Sequence, residues 1–203
     1  MRNQPPEPDS AQPLTLLLAL RADETEESDP ALIHTIGRET VQALQAEGIP
    51  VQPMYTGQQG GDFLVQVVVP TVVHWVAAVW DHRAVITELL NDAVQLTTLA
   101  AFIYQVVQRV KRRYEQHVGE DESRARPLTI SLEVEGDAHS LDASSPTHAQ
   151  VVLTTLLKDH QASGPRAAAT TPLELKLCLA IPRKRAPGKR RHGKPSRNAT
   201  DRQ

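Results

Sequence analysis

The chain is organised around the stretch Asp92-Ala-Val-Gln-Leu-Thr-Thr-Leu-Ala-Ala-Phe-Ile-Tyr-Gln-Val-Val-Gln-Arg-Val-Lys-Arg-Arg-Tyr114. It belongs to a longer run, residues 71–117, which no Gly or Pro interrupts. Its apolar residues recur at spacings of three and four: Leu96, Leu99, Ile103, Val106, Val110 and Tyr114. This period predicts an amphipathic helix with one buried stripe. We expect two or three helical segments in the run, because Asp81 and Asp92 each resemble a helix N-cap.

Apolar segments before this helix predict three strands. Leu14–Leu20 is apolar on both faces, as in a strand that lies inside a sheet. Residues 49–55 form a second strand, which Pro50 and Pro53 assign to the edge of the sheet. Residues 62–69 form the third. Between the first two strands, Asp29-Pro30 and Gly48 mark the start and the end of a helix.

Two strands with strict alternation are predicted after the central helix. In residues 128–135 and again in 173–181, apolar and polar residues alternate. If these strands pair, Lys176 lies near Glu133 or Glu135 on the polar face. A hairpin return over 138–141, a helix from Ser144 to about His160, and a charged loop over 119–126 complete this half of the chain.

The order of these elements predicts an α+β domain over residues 13–181. A mixed or largely antiparallel sheet is expected, covered by the long central helix and by shorter helices. Residues 1–12 are rich in proline and polar residues, and residues 182–203 are strongly basic, so both ends are predicted to be disordered.

Composition limits the possible functions. One cysteine excludes an internal disulfide framework and a multi-cysteine zinc site. Aromatic residues make up 3 % of the chain, so few side chains are available to stack on nucleic-acid bases. The first apolar run is too short for a signal peptide, which predicts a cytoplasmic protein. The apolar runs at 64–80 and 93–107 raise the alternative of a membrane hairpin, but each is shorter than the roughly 20 residues that a span needs.

No motif reaches the standard of a catalytic, cofactor or metal site. The glycine cluster Gly57–Gly61 lacks a following Lys-Ser/Thr, so a plain turn is favoured over a phosphate loop. His74, Asp81 and His82 are spaced too far along a helix to hold one ion together, since seven residues rise about 10 Å. Cys178 has no histidine that the sequence places beside it. An enzyme that uses His74, Asp81 or Cys178 is therefore the least favoured interpretation.

Two features indicate contacts with other molecules. Trp75 and Trp80 lie at the start of the central run; they are either core residues or anchors of a protein interface. Residues 183–203 hold nine Lys/Arg and one acid, a net charge of +8, whereas residues 1–182 hold 13 bases and 23 acids, a net charge of −10. A polyanion contact of the tail would use Arg183, Lys184, Arg185, Lys189, Arg190, Arg191 and Lys194. A solubility tail, a tether to the acidic body and a contact with anionic lipid remain alternatives.

Four segments together resemble a known family. They are Asp62-Phe-Leu-Val-Gln-Val-Val-Val69, Asp92-Ala-Val-Gln-Leu-Thr-Thr-Leu-Ala-Ala101, Val106-Val-Gln-Arg-Val-Lys-Arg-Arg113 and Leu128-Thr-Ile-Ser-Leu-Glu-Val-Glu-Gly-Asp-Ala-His-Ser-Leu141. The pattern is similar to the small effector-associated constant component proteins of predicted NTP-dependent bacterial conflict systems, and it spans roughly residues 14–159. The resemblance implies a non-enzymatic accessory with an effector or NTPase component as its partner, and it supplies no catalytic residues.

The sequence therefore predicts a non-catalytic adaptor or protein-interaction module without a cofactor or metal. The runner-up is nonspecific association with nucleic acid through the basic tail.

Overall fold

The computed structural model describes residues 14–23, 29–54, 62–69, 82–134, 136–142, 145–162 and 175–182. The strands in these residues form one mixed sheet. The elements in chain order are β1 (Thr15–Ala22), α1 (Pro30–Ala46), β2 (Val51–Pro53), β3 (Phe63–Val68), α2 (His82–Asn91), α3 (Ala93–Val118), α4 (Glu120–Ala125), β4 (Thr129–Val134), β5 (Asp137–Ser140), α5 (Pro146–Ala162) and β6 (Leu175–Ile181). The predicted α+β class is confirmed.

The strands lie in the order β2-β3-β1-β6-β4-β5. The central neighbours β1 and β6 are parallel, and every other neighbouring pair is antiparallel. Each half of the sheet is thus a split β-α-β unit: β1 and β2 flank β3, while β5 and β6 flank β4. The predictions that β1 is interior and that β2 is an edge strand are both confirmed.

Leucines of the neighbouring strands β1, β6 and β4 form the sheet side of the hydrophobic core. Leu18 of β1 pairs with Leu177 of β6, which in turn pairs with Leu132 of β4, and all three are fully buried. They belong to the same apolar cluster as the inward stripe of α3, Leu96, Leu99, Ile103, Val106, Val110 and Tyr114. The predicted stripe is confirmed at each of these positions. On the opposite face of the sheet Lys176 Nζ lies 3.4 Å from Glu133 Oε2, as the predicted pairing requires.

Helix α1 begins and ends where the sequence predicts. The Asp29 carboxylate accepts a hydrogen bond from the backbone N–H of Leu32 at 3.2 Å. At the other end Gly48 has φ 78°, and its N–H donates to the carbonyl of Gln45, while the N–H of Ile49 donates to that of Leu44. These two bonds form a Schellman motif, which satisfies carbonyls that the helix leaves free.

The start of α3 depends on one side chain. The Asp92 carboxylate accepts hydrogen bonds from the N–H groups of Val94 and Gln95, each at 3.0 Å. We expect Asp92→Ala to lower the free energy of unfolding by about 1 kcal/mol, because two helix donors lose their acceptor. Urea titrations should show this loss, while Asp92→Asn should remain within a few tenths of a kcal/mol of the parent, since asparagine caps about equally well.

The predicted charged loop over 119–126 is wrong, because this segment contains the short helix α4. Gly119, with φ 93°, ends α3 and precedes α4 directly. Glu120, Asp121 and Glu122 occupy the first turn, where carboxylates interact favourably with the positive end of the helix. An acidic composition alone suggests a loop. At the first turn of a helix, however, the same acidic residues stabilise the helix start. Helix α5 also ends two residues beyond the predicted His160.

None of the described helices combines the length and the apolar content that crossing a bilayer requires.

Candidate functional site: the outer surface of the helical layer

Helix α3 presents two different surfaces to solvent. Its first half, Ala93–Gln108, contains no Asp, Glu, Lys or Arg, whereas residues 109–113 contain four cations. The first half packs beside α5 and the second half packs beside α1. The two halves are therefore treated as separate candidate sites.

The α3–α5 patch comprises exposed residues at the start of α3 and on the neighbouring surface of α5, namely Ala93, Val94, Thr97, Thr98, Thr147, Val151 and Thr155. Val94 is 75 % exposed and Val151 is 58 % exposed. Gln150 Nε2 donates to Thr97 Oγ1 at 3.1 Å, which places the two helix surfaces side by side. Two exposed valines on a surface without charged residues resemble the centre of protein interfaces, where charged residues are depleted.

The arginine groove lies between α1 and residues 104–116 of α3. It has a volume of about 520 Å³ and is lined by Ala43, Glu47, Tyr104, Gln105, Gln108, Arg109, Arg112, Arg113 and Gln116. Glu39 and Glu47 of α1 contact α3 at either end of the groove. Because Ala43 lies midway between them, that helix wall has no long side chain at its centre.

Ion pairs hold two of the three arginines in place. Arg109 Nε donates to Glu47 Oε1 at 3.0 Å, and Arg109 Nη2 donates to the other oxygen of that carboxylate. Arg113 Nε lies 3.9 Å from Glu39 Oε2, and its Nη1 donates to Gln116 Oε1 at 3.0 Å. His117 Nε2 also lies 3.1 Å from both oxygens of Glu39.

Arg112 differs from Arg109 and Arg113 in its exposure and in its lack of a described carboxylate partner. It is exposed, and no carboxylate in the described part of the chain lies within ion-pair distance of it. Of the three arginines in the lining, Arg109 pairs with Glu47 and Arg113 with Glu39. A guanidinium that has no carboxylate partner among the described residues is a donor for an external carboxylate or phosphate.

Cys178 lies on the sheet face opposite the leucines and is 1 % exposed. Burial raises the pKa of its thiol, Lys176 and Arg21 oppose that rise, and Glu133 adds to it. The Cys178 Sγ lies 3.8 Å from Glu133 Oε2, to which the thiol donates. A buried thiol with a raised pKa holds less of the reactive thiolate at neutral pH.

The site residues predicted from sequence are not among the residues that the structure describes. Trp75 and Trp80 lie outside them, as do His74, Asp81, Gly57–Gly61 and the tail cations Arg183, Lys184, Arg185, Lys189, Arg190, Arg191 and Lys194. The sequence does show the cation cluster at 109–113, but the groove beside it depends on α1, more than 60 residues away. In the described part of the chain no three His, Cys, Asp or Glu residues are arranged to hold a metal ion.

Comparison with protein families, curated proteins and solved structures found no match. The functional argument therefore depends on the surfaces themselves.

Proposed function

We propose that this chain is a non-catalytic accessory or adaptor module that binds a partner protein in the cytoplasm. The observation that carries the proposal is the α3–α5 patch, where Val94 and Val151 are exposed on an uncharged surface. Covering such a surface removes apolar area from water without the cost of desolvating charged groups. Cys178 is 1 % exposed and burial raises the pKa of its thiol, which counts against this residue as a nucleophile.

The setting that we propose is a bacterial conflict or defence system, with an effector or NTPase component as the partner. The support is the resemblance of residues 14–159 to effector-associated constant component proteins. A gene for such an effector or NTPase beside the gene for this chain would support this setting. A neighbourhood of metabolic enzymes would count against it.

The second candidate is nonspecific association with nucleic acid through residues 183–203. The net charge of +8 on this segment favours it. Retention of the full chain on an immobilised polyanion should fall steeply with salt, and it should be lost when the Lys/Arg residues of the tail are replaced by Gln. Retention that is independent of salt, or unchanged in that variant, would exclude this candidate.

Cross-linking from the α3–α5 patch tests the adaptor proposal. A photo-reactive amino acid at Val94 or Val151 should link the full chain to one partner in cells of its source. The same amino acid at Gln45, an exposed position on α1, should not form that link. With the purified partner, we expect Val94→Glu to weaken binding at least tenfold, because a carboxylate would have to be desolvated in the interface.

Gln45→Glu is the matched control, because it adds the same charge elsewhere on the helical layer. Val94→Glu should not unfold the chain, since it places a carboxylate near the positive N-terminal end of α3. Equal cross-linking from position 45, or binding that Val94→Glu leaves unchanged, would contradict the proposal.

A further inference from the structure

We propose that the arginine groove is a second binding site, which takes an acidic peptide segment and uses Arg112 as its principal carboxylate contact. The residues that line the groove are not among those of the α3–α5 patch, so this site does not depend on the partner proposed above.

The first argument is preorganisation. Glu47 holds the guanidinium of Arg109, which is 19 % exposed, and Glu39 with Gln116 holds that of Arg113. These side chains have already lost much of their rotamer freedom, so an incoming anion does not have to order them. The guanidinium of Arg112 lies on the exposed side of the same helix turn as these two fixed cations. Because Glu47 and Glu39 already compensate these two cations, the net attraction for an incoming carboxylate comes from Arg112.

The second argument is the size and the polarity of the groove. Its α3 wall spans Tyr104 to Gln116, about 18 Å at the helical rise. That length matches about five residues of an extended peptide. Gln105, an exposed residue of this wall, offers both a donor and an acceptor, and Gln116 has amide N–H donors beside the Oε1 that accepts from Arg113. They therefore suit the alternating N–H and C=O groups of a peptide backbone.

The third argument separates a peptide from a nucleic acid. Glu47, whose side chain is 49 % exposed, lines the groove, and Glu39 lies at its other end. These carboxylates repel a backbone that carries a charge at every phosphate. A peptide avoids this cost, because neutral residues lie between its carboxylates and its N–H groups donate to Glu47. The net charge of −10 on residues 1–182 adds to the repulsion of a long polyanion.

The test compares two anionic probes of ten units each, a fluorescent decapeptide in which glutamate alternates with serine and a fluorescent (dT)10 oligonucleotide. The protein is the full chain with the nine Lys/Arg of residues 183–203 replaced by Gln, so that the tail contributes no cations. Fluorescence anisotropy at low salt measures both affinities. We expect the glutamate peptide to bind more tightly than (dT)10.

Arg112→Glu should weaken peptide binding about fivefold to tenfold, since it replaces an attractive surface pair with a repulsive one. Lys111→Glu is the matched control, because it makes the same change of charge at a neighbouring exposed residue that does not line the groove. Its effect should be no more than about twofold. Both side chains are exposed, so both variants should retain the parent melting temperature.

Equal losses in the two variants would show a diffuse charge effect and would overturn the proposal. Tighter binding of (dT)10 that depends on Arg112 would also overturn it, and would assign the groove to nucleic acid instead. Failure to bind either probe would exclude an anion site here and would leave the adaptor proposal unaffected.

Discussion

Replacing Ile103 with alanine is expected to lower the free energy of unfolding by about 2–5 kcal/mol. Ile103 is fully buried at the middle of α3 and belongs to the cluster that joins the helices to the central strands. The substitution removes three carbon atoms from a site that is enclosed by helices and sheet, so the surrounding side chains can refill the space only partly. The loss therefore combines reduced apolar burial with the cost of a cavity.

Urea unfolding followed by circular dichroism measures this loss. Val94→Ala is the control, because it also shortens a β-branched side chain on α3 but at a position that is 75 % exposed. Its effect should stay within about 0.5 kcal/mol. A loss below about 1 kcal/mol for Ile103→Ala would show that this part of α3 is not packed into the core.

The second large effect is expected from Gly37→Ala. Gly37 lies inside α1, and a Cβ built on it would lie 2.4 Å from both Cγ and Cδ1 of the Phe63 ring. The ring edge also packs on His34 in a T-shaped contact, with 5.9 Å between centroids. Alanine normally stabilises a helix by about 1 kcal/mol relative to glycine. Here we expect a net loss of about 1–3 kcal/mol, because the aromatic ring must be displaced from its strand position.

A double-mutant cycle isolates this contact. In a Phe63→Ala chain the obstacle is gone, so the added Gly37→Ala should be neutral or should stabilise by up to about 1 kcal/mol. The comparison needs only the free energies of unfolding of the parent, the two single variants and the double variant. A penalty for Gly37→Ala that persists without the ring would show that the helix backbone, and not Phe63, requires glycine.

The elements that the sequence predicts well are those whose signal is local. The two-sided apolar pattern of Leu14–Leu20 identified an interior strand, and Pro50 just before β2 and Pro53 at its end identified an edge. Helix ends were predictable because Asp29, Gly48 and Asp92 each form bonds with backbone groups only a few residues away. Alternation also placed Lys176 near Glu133 or Glu135 if the two strands pair, and in the structure Lys176 lies beside Glu133.

The candidate sites were less predictable, because exposure depends on contacts between distant segments. Val94 is one of many apolar residues in α3. The spacing of these residues does not show whether another element of the fold covers Val94. The sequence shows Arg109 as one of a cluster of cations, but its partner, Glu47, lies 62 residues earlier in the chain. The helix α4 was missed for a different reason, since its six residues are too few to show any apolar period.

The position of β6 has a consequence for how the molecule is made. This last strand joins the two halves of the sheet, because β1 and β4 both pair with it and not with each other. A ribosome that has released only the first 170 residues exposes a three-stranded precursor, β2-β3-β1, and a two-stranded precursor, β4-β5, each with an inner edge ready for hydrogen bonding. The complete sheet can form only after the β6 segment emerges. For most of its synthesis the nascent chain therefore has unpaired inner edges on β1 and β4, which chaperones or neighbouring chains can contact.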